Sequence, residues 1–271
     1  MGEKAGKPQK RKAPGGAAEG VMEGVMEGTG DFGAVRDRIT FSLINRERNR
    51  VLLGAVPYVE VMDLAMVFFI DRAGEGTWNG RAIVDRECLK RWGTGCGELM
   101  RLAAGNTPRL HPPDLRSGDE ILREILGEYG KSGDGKEFLE DMRSVPMAGH
   151  IYMLSSTGGR YGAAAMVYEG VLKRFADGRK KDLLIIPVDV HGVMVLPWDE
   201  RIDPEGLRHM LGEMNRKETP SEDVLSDRLY WYQRREDCLI VQGEGPEKGC
   251  SRFFPGRMKG RGNLSKAEGA G

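Results

Sequence analysis

No stretch of this 271-residue chain approaches the ~20 consecutive apolar residues that a bilayer-crossing helix needs, and mean hydropathy is −0.45. The first thirty residues are polar and have no apolar core of the kind a secretory signal requires. Cysteine is scarce: Cys88, Cys96, Cys238 and Cys250 include no C-x-x-C pair. A reduced cytoplasmic set is therefore expected rather than a disulfide framework or a zinc site. Histidine is equally scarce, and His111, His150, His191 and His209 show no H-x-x-x-H spacing, so no metal centre is expected. Neither sign of charge dominates, with Lys+Arg 41 against Asp+Glu 41. These absences leave a soluble cytoplasmic protein with no cofactor and no membrane contact as the expectation.

The charge balance differs by region. Residues 1–33 carry five basic and five acidic groups, and residues 244–271 carry six basic and three acidic. The stretch between them holds 30 basic and 33 acidic groups, which gives it no electrostatic reason to seek nucleic acid. The first segment opens with Lys7, Lys10, Arg11 and Lys12, repeats VMEG in tandem and contains nine glycines. The last has seven glycines and one short apolar island, Phe253 and Phe254. Too few apolar groups are present to offset the entropy of ordering such chains, so both ends read as disordered tails. Loose nucleic-acid contact through these basic ends is the alternative role; solubilising appendages are the plainer one.

Between the tails, LAMVFFI (64–70) and RAIVD (81–85) read as two strands joined by a glycine-containing loop. Residues 87–106 read as a helix interrupted by Gly93, Gly95 and Gly97, ending before Pro108. Ser117 and Glu120 form an S-x-x-E capping box for a helix whose face is Ile121, Leu122, Ile125, Leu126 and Tyr129. HIYMLSS (150–156) reads as a strand, TGGRYG as a loop, and the chain from Tyr161 as a helix with Ala164, Val167, Tyr168, Val171, Leu172 and Phe175 on one face. Glu169 and Lys173 are an expected i,i+4 pair there.

LLIIPV (183–188) is continuously apolar, as a strand buried on both faces would be. Asp189, Val190, His191 and Gly192 have turn character, which predicts a hairpin with VMVLP as its return strand. Asp203 as N-cap, Pro204 and Glu205 open a further helix with Leu207, Met210, Leu211 and Met214 as its buried stripe. Ser221 is placed to cap one more turn, and YWYQ pairs with CLIV across RRED. Tight turns require antiparallel pairing, so the predicted class is α+β, a mainly antiparallel sheet with packed helices. One domain over 34–243 is expected, with a possible sub-boundary near 131–148.

Several ordered segments resemble a known family: INRERN, AVPY, DLAMVFF, AAGNTPRL, YMLSS, GAAAMVYEGVLKRFA, DLLIIPVDVHGVMVLP, EMNRKETPSEDVLSD and the YWY strand. Together they are similar to an uncharacterised bacterial domain-of-unknown-function family, known mainly from anaerobic Firmicutes, over nearly all of residues 35–242. The resemblance implies no activity. Family members usually read P-S-S-x-H-E where this chain has PVDVHG, so His191 is kept while two serines and a glutamate are absent. That departure excludes a hydroxyl nucleophile at this spot and leaves Asp189 as the replacement in any carboxylate–histidine relay. Either an activity has been lost in this member or the motif is a structural turn.

Asp189 and His191 are the sharpest chemical pair, since a carboxylate beside an imidazole fixes its tautomer and raises its basicity. The plainer reading has Asp189 capping the turn through its backbone, with His191 a partly exposed turn residue. Gly158, Gly159 and Gly162, between a strand and a helix start, are candidate phosphate-cradling positions. They match neither a P-loop nor a full G-x-G-x-x-G fingerprint. Cys96, in GTGCGE, has no nearby basic partner to activate it. Trp78, Trp92, Trp198 and Trp231 do not alternate with cations as a base-stacking platform would. The favoured function is a non-enzymatic protein-binding or regulatory module, expected to expose an apolar patch. A hydrolase-like or transferase-like enzyme using Asp189 and His191 is the alternative.

Overall fold

The computed structural model describes residues 31–71, 81–121, 124 and 151–245. Asp31 caps a first helix, α1 (Phe32–Val35), by accepting from the Gly33 N–H at 2.9 Å. Phe32, which composition assigned to the amino-terminal tail, packs against Trp92 with ring centroids 5.4 Å apart. A short 3-10 turn then leads into strand β1 (Ile39–Asn45), helix α2 (Arg50–Ala55), β2 (Tyr58–Val61), β3 (Leu64–Asp71) and β4 (Arg81–Ile83). Strand β3 is the spine of this first sheet. It pairs with β1 along its length on one side, and with β2 and then β4 on the other, all antiparallel. The expected pair of strands at 64–70 and 81–85 is present; β1 and β2 had no expectation attached.

The interrupted helix is two helices, α3 (Arg86–Trp92) and α4 (Cys96–Leu110), with Gly93 ending the first at φ +61°. Contrary to the expected end before Pro108, α4 runs through Pro108 to Leu110. The Thr107 hydroxyl explains why that turn persists. It donates to the Ala103 carbonyl at 2.6 Å and accepts the Phe41 N–H of β1 at 3.0 Å, tying the turn to the sheet edge.

The second sheet contains β5 (Pro113–Ser117), β6 (Tyr152–Ser156), β7 (Leu183–Asp189), β8 (Gly192–Pro197), β9 (Tyr230–Gln233) and β10 (Cys238–Val241). Its order is β10-β9-β7-β8-β6-β5, antiparallel throughout. The described residues are thus an α+β fold. As its uninterrupted apolar sequence demands, β7 is buried on both faces: Leu183 and Ile185 enter one core, Leu184 and Ile186 another. The larger core joins inward residues of both sheets, among them Phe41, Phe68, Leu154 and Val195, with the chain from Ala163 to Leu172. The outer core lies under helix α6 (Pro204–Lys217), where Asp203 caps the Glu205 N–H at 3.1 Å as the sequence predicts.

The chain from Tyr161 is not one helix. A fully buried 3-10 segment (Gly162–Val167) gives way to extended backbone at Tyr168 and a left-handed Gly170, and helix α5 (Val171–Arg179) starts only then. Lys173 therefore pairs forward with Asp177 at 2.7 Å instead of back with Glu169. On α6, Met210 is exposed at 43%, and the buried positions are Leu211 and Asn215. Residues 221–223 form a turn where one is expected, with the Asp223 and Val224 N–H groups bonded to the Pro220 carbonyl. Cys238 is disulfide-bonded, so the cysteines are not the fully reduced set expected; Cys88 and Cys96 are free. The reciprocal Ser117–Glu120 capping box is present, with both backbone N–H groups bonded at 2.7 and 3.2 Å. Most of the helix it opens, the connection near 131–148, Trp78 and nearly all of both tails lie outside the described residues. No helix among the described residues is long and apolar enough to cross a membrane.

Candidate functional site

The hairpin between β7 and β8 turns at Asp189, Val190, His191 and Gly192, and its tip is tied down on three sides. The Asp189 carboxylate accepts the backbone N–H groups of His191 at 2.7 Å and Gly192 at 3.0 Å. Its Oδ1 is therefore directed at the turn backbone. The buried Val190 donates its N–H to the Asp223 carbonyl at 2.9 Å and accepts the Ala163 N–H. The Ser155 hydroxyl donates to the His191 carbonyl at 2.7 Å.

The imidazole of His191 makes two separate contacts. Nδ1 accepts the backbone N–H of Tyr161 at 3.0 Å, which puts the neutral ring's proton on Nε2. Nε2 faces Asp223 Oδ1 at 3.6 Å, an ionic distance too long for a hydrogen bond. The histidine's carboxylate neighbour is thus Asp223, from the turn before β9, in place of the expected Asp189. Both side chains are about one-third exposed. No hydrophobic or charge pattern in the sequence singles out Asp223, because its proximity arises only from the fold.

The glycine-rich loop closes onto the same place. Tyr161 sits in the left-handed region at φ +56°, an unusual conformation for a non-glycine residue. Gly162 is required by a close approach: a Cβ there would lie 2.2 Å from Ser155 Oγ, 2.4 Å from Ser156 N and 2.7 Å from the His191 carbonyl. Gly158 and Gly159 supply positive φ in the preceding turn. The N–H groups of Gly159, Tyr161 and Ala163 are directed at Ser156 O, His191 Nδ1 and Val190 O. The last two bonds fold the loop onto the hairpin, and all three turn those donors away from any phosphate. The two sets of candidate residues, separated by some thirty positions, therefore form one constellation.

A buried ionic cluster adjoins it. Asp71, ending β3, meets Arg81 Nε at 2.6 Å and His111 Nε2 at 2.5 Å, and Arg81 also donates to the hydroxyls of Thr40 and Ser42. Burial pushes the Asp71 carboxyl up, but the His111 hydrogen bond and the Arg81 charge outweigh it and hold the group below the usual carboxylate range. Burial lowers Arg81 from its ordinary value, opposed by Asp71. The guanidinium lies over Phe69 at 4.4 Å and 6.0 Å from the Tyr161 ring, whose centroid is 5.6 Å from that of His191. Sequence reading missed Arg81, His111 and Tyr161 as members of one neighbourhood.

The remaining candidates lie elsewhere. Cys96 Sγ is half-buried against the Tyr58 carbonyl, and burial pushes its thiol up, away from a reactive thiolate. Trp198 and Trp231 pack together at 4.5 Å on the outer face of the second sheet. Among the described residues, no group of three or more His, Cys, Asp or Glu side chains is arranged to hold a metal ion.

Comparison with known proteins gives no match to a curated protein and none to a solved structure. The family match covers residues 18–234, from within the amino-terminal segment through β9. The strands and loops that build the Tyr161–His191–Asp223 neighbourhood all fall inside that span, and the chain belongs to the family of unknown function DUF5688.

Proposed function

We propose that this chain is a protein-binding or regulatory module whose recognition surface is the meeting point of the hairpin tip, the glycine-rich loop and the turn carrying Asp223. The observation that carries this reading is the way His191 is used. Its Nδ1 lone pair is spent on the Tyr161 N–H and its Nε2 faces Asp223, so the ring organises a surface and offers no free lone pair to a substrate proton. A left-handed tyrosine persists only where the surroundings over-determine it, and such positions cluster at ligand clamps and switch regions.

The surface is polar and aromatic. Val51 and Met210 are the exposed large hydrophobics among the described residues, so the expected apolar patch is not formed there. Non-obligate interfaces need none: they are about as apolar as other protein surface, and tyrosine and arginine supply much of their binding energy. Tyr161, with Arg160 beside it and Asp223 across from it, offers that chemistry on loops held by a rigid sheet.

The test is reconstitution. A partner isolated with the full chain is purified and titrated calorimetrically against wild type, Arg160→Ala and Asp223→Ala. Binding weakened at least about tenfold by either substitution supports the reading. Equal binding by all three overturns it. So does turnover of ester, phosphate or glycosyl substrates that is lost in His191→Ala, which would favour the enzyme.

A further inference from the structure

The contact between His191 Nδ1 and the Tyr161 N–H has a direction, because it exists only while the imidazole has a lone pair on that nitrogen. We infer that His191 is a pH-gated catch on the loop over residues 157–161: neutral, it holds Tyr161 in place, and protonated, it lets go. The inference concerns regulation of the surface proposed above and rests on that reading for its biological meaning, but its physical test requires no partner.

The geometry supplies three parts. The first is the acceptor itself, 3.0 Å from the Tyr161 nitrogen. An imidazolium carries a proton on Nδ1, so two N–H groups would face each other where one hydrogen bond had been. The second is the load on the catch. Tyr161 is held at φ +56°, and a bulky residue released from that region relaxes toward ordinary backbone. The third is a counter-charge: Asp223 Oδ1, 3.6 Å from Nε2, stabilises the protonated ring.

The charged and titratable groups around the ring come from each neighbouring segment. Asp223 faces Nε2 from the turn before β9, with Glu222 next to it in sequence, and the loop contributes Tyr161, with Arg160 next to it in sequence. Asp189 belongs to the hairpin, with its Oδ1 committed to the His191 and Gly192 N–H groups. Arg81, 6.0 Å from the Tyr161 ring, belongs to the first sheet and is partnered by Asp71. Releasing the loop removes the Tyr161 N–H from Nδ1, so the released form binds a proton more readily. Linkage then fixes the sign: the loop is held at high pH and released as pH falls.

Amide hydrogen exchange of the full chain, corrected for intrinsic rates and read by NMR beside the His191 ring signals, tests the catch. Protection of the Tyr161 N–H is expected to fall by up to about tenfold per pH unit as the ring protonates. His191→Asn retains an acceptor oxygen that does not titrate, and is expected to keep the Tyr161 amide protected between pH 8 and pH 5. Asp223→Asn is expected to move the transition to lower pH. Constant protection in wild type through the titration overturns the inference, as does the same pH response in His191→Asn. A transition that stays put or moves up in Asp223→Asn also overturns it. A chain that binds no partner leaves all of these readings intact, so the two ideas fail separately.

Discussion

Asp63 and Tyr230, 167 positions apart, share a hydrogen bond of 2.9 Å that couples the turn between β2 and β3 to the start of β9. The other Asp63 oxygen accepts from the buried Ser226 hydroxyl at 2.6 Å. Asn45 of β1 reinforces this link by donating to the Leu225 carbonyl at 3.0 Å. Burial, with the adjacent Asp63 charge second, drives the Tyr230 hydroxyl well above its ordinary range, so it remains a neutral donor. Asp63→Ala removes the acceptor that two buried hydroxyls share and is expected to cost about 2–4 kcal/mol in urea unfolding. Tyr230→Phe removes one donor and leaves one Asp63 oxygen free, and is expected to cost about half as much.

The ionic cluster at the end of β3 makes a prediction about acid. Asp71 titrates lower in the folded protein than in the unfolded chain, where an aspartate lies near 3.9. Its contribution is therefore fully present above about pH 4 and is lost as pH falls through the lower folded value. Asp71→Asn removes the counter-charge of the nearly buried Arg81 and is expected to cost about 3–5 kcal/mol at neutral pH. The variant's stability should also fall less steeply than wild type below about pH 4. Urea midpoints measured from pH 7 down to pH 2.5 check both statements.

Gly162→Ala places a methyl among Ser155 Oγ, Ser156 N and the His191 carbonyl, two of which are backbone atoms unable to swing aside. The expected penalty is about 1–3 kcal/mol, accompanied by lost protection of the Tyr161 and Ala163 amides in hydrogen exchange. Unchanged protection would show that the loop and hairpin are not clamped together there.

Thr107→Val removes the acceptor for the Phe41 N–H and the bond to the Ala103 carbonyl while keeping the side-chain shape. A loss of about 1–3 kcal/mol is expected from the orphaned N–H. Thr107→Ser retains the hydroxyl and should recover most of the stability, as a thermal melt would report.

The parts of this fold that could be read in advance are those specified by near neighbours. The unbroken apolar run of β7, the turn chemistry at Asp189 and Gly192, and the Asp203–Pro204 cap act within a few residues, and each element forms where those signals stand. Strand β1 escaped notice because Thr40 and Ser42 interrupt its apolar pattern. Both are buried as hydroxyl partners for Arg81, about forty positions away. Strand β5 begins with proline and holds a single aliphatic residue, so only its pairing with β6 reveals it. The predicted helix from Tyr161 failed on the positive φ of Gly170, whose i+4 flanks looked helical by spacing alone. His191 and the glycine loop were each visible as candidates, but the contact between them and the approach of Asp223 depend on the assembled sheet.

The order of strands also has a consequence for how the chain is made. The first sheet has all its described partners once residue 83 has emerged, while the second has none of its inner pairs until the β7–β8 hairpin closes and neither flank until β6 and β9 add to it. During synthesis α4, complete by residue 110, brings Leu99, Leu102 and Ala103 to the inward side of the early sheet, while the chain from Ala163 to Leu172 that shares this core with Phe41, Met66 and Phe68 emerges some fifty residues later. The nascent chain thus carries a partly covered apolar sheet face off the ribosome, and that interval is where a holding chaperone would matter most.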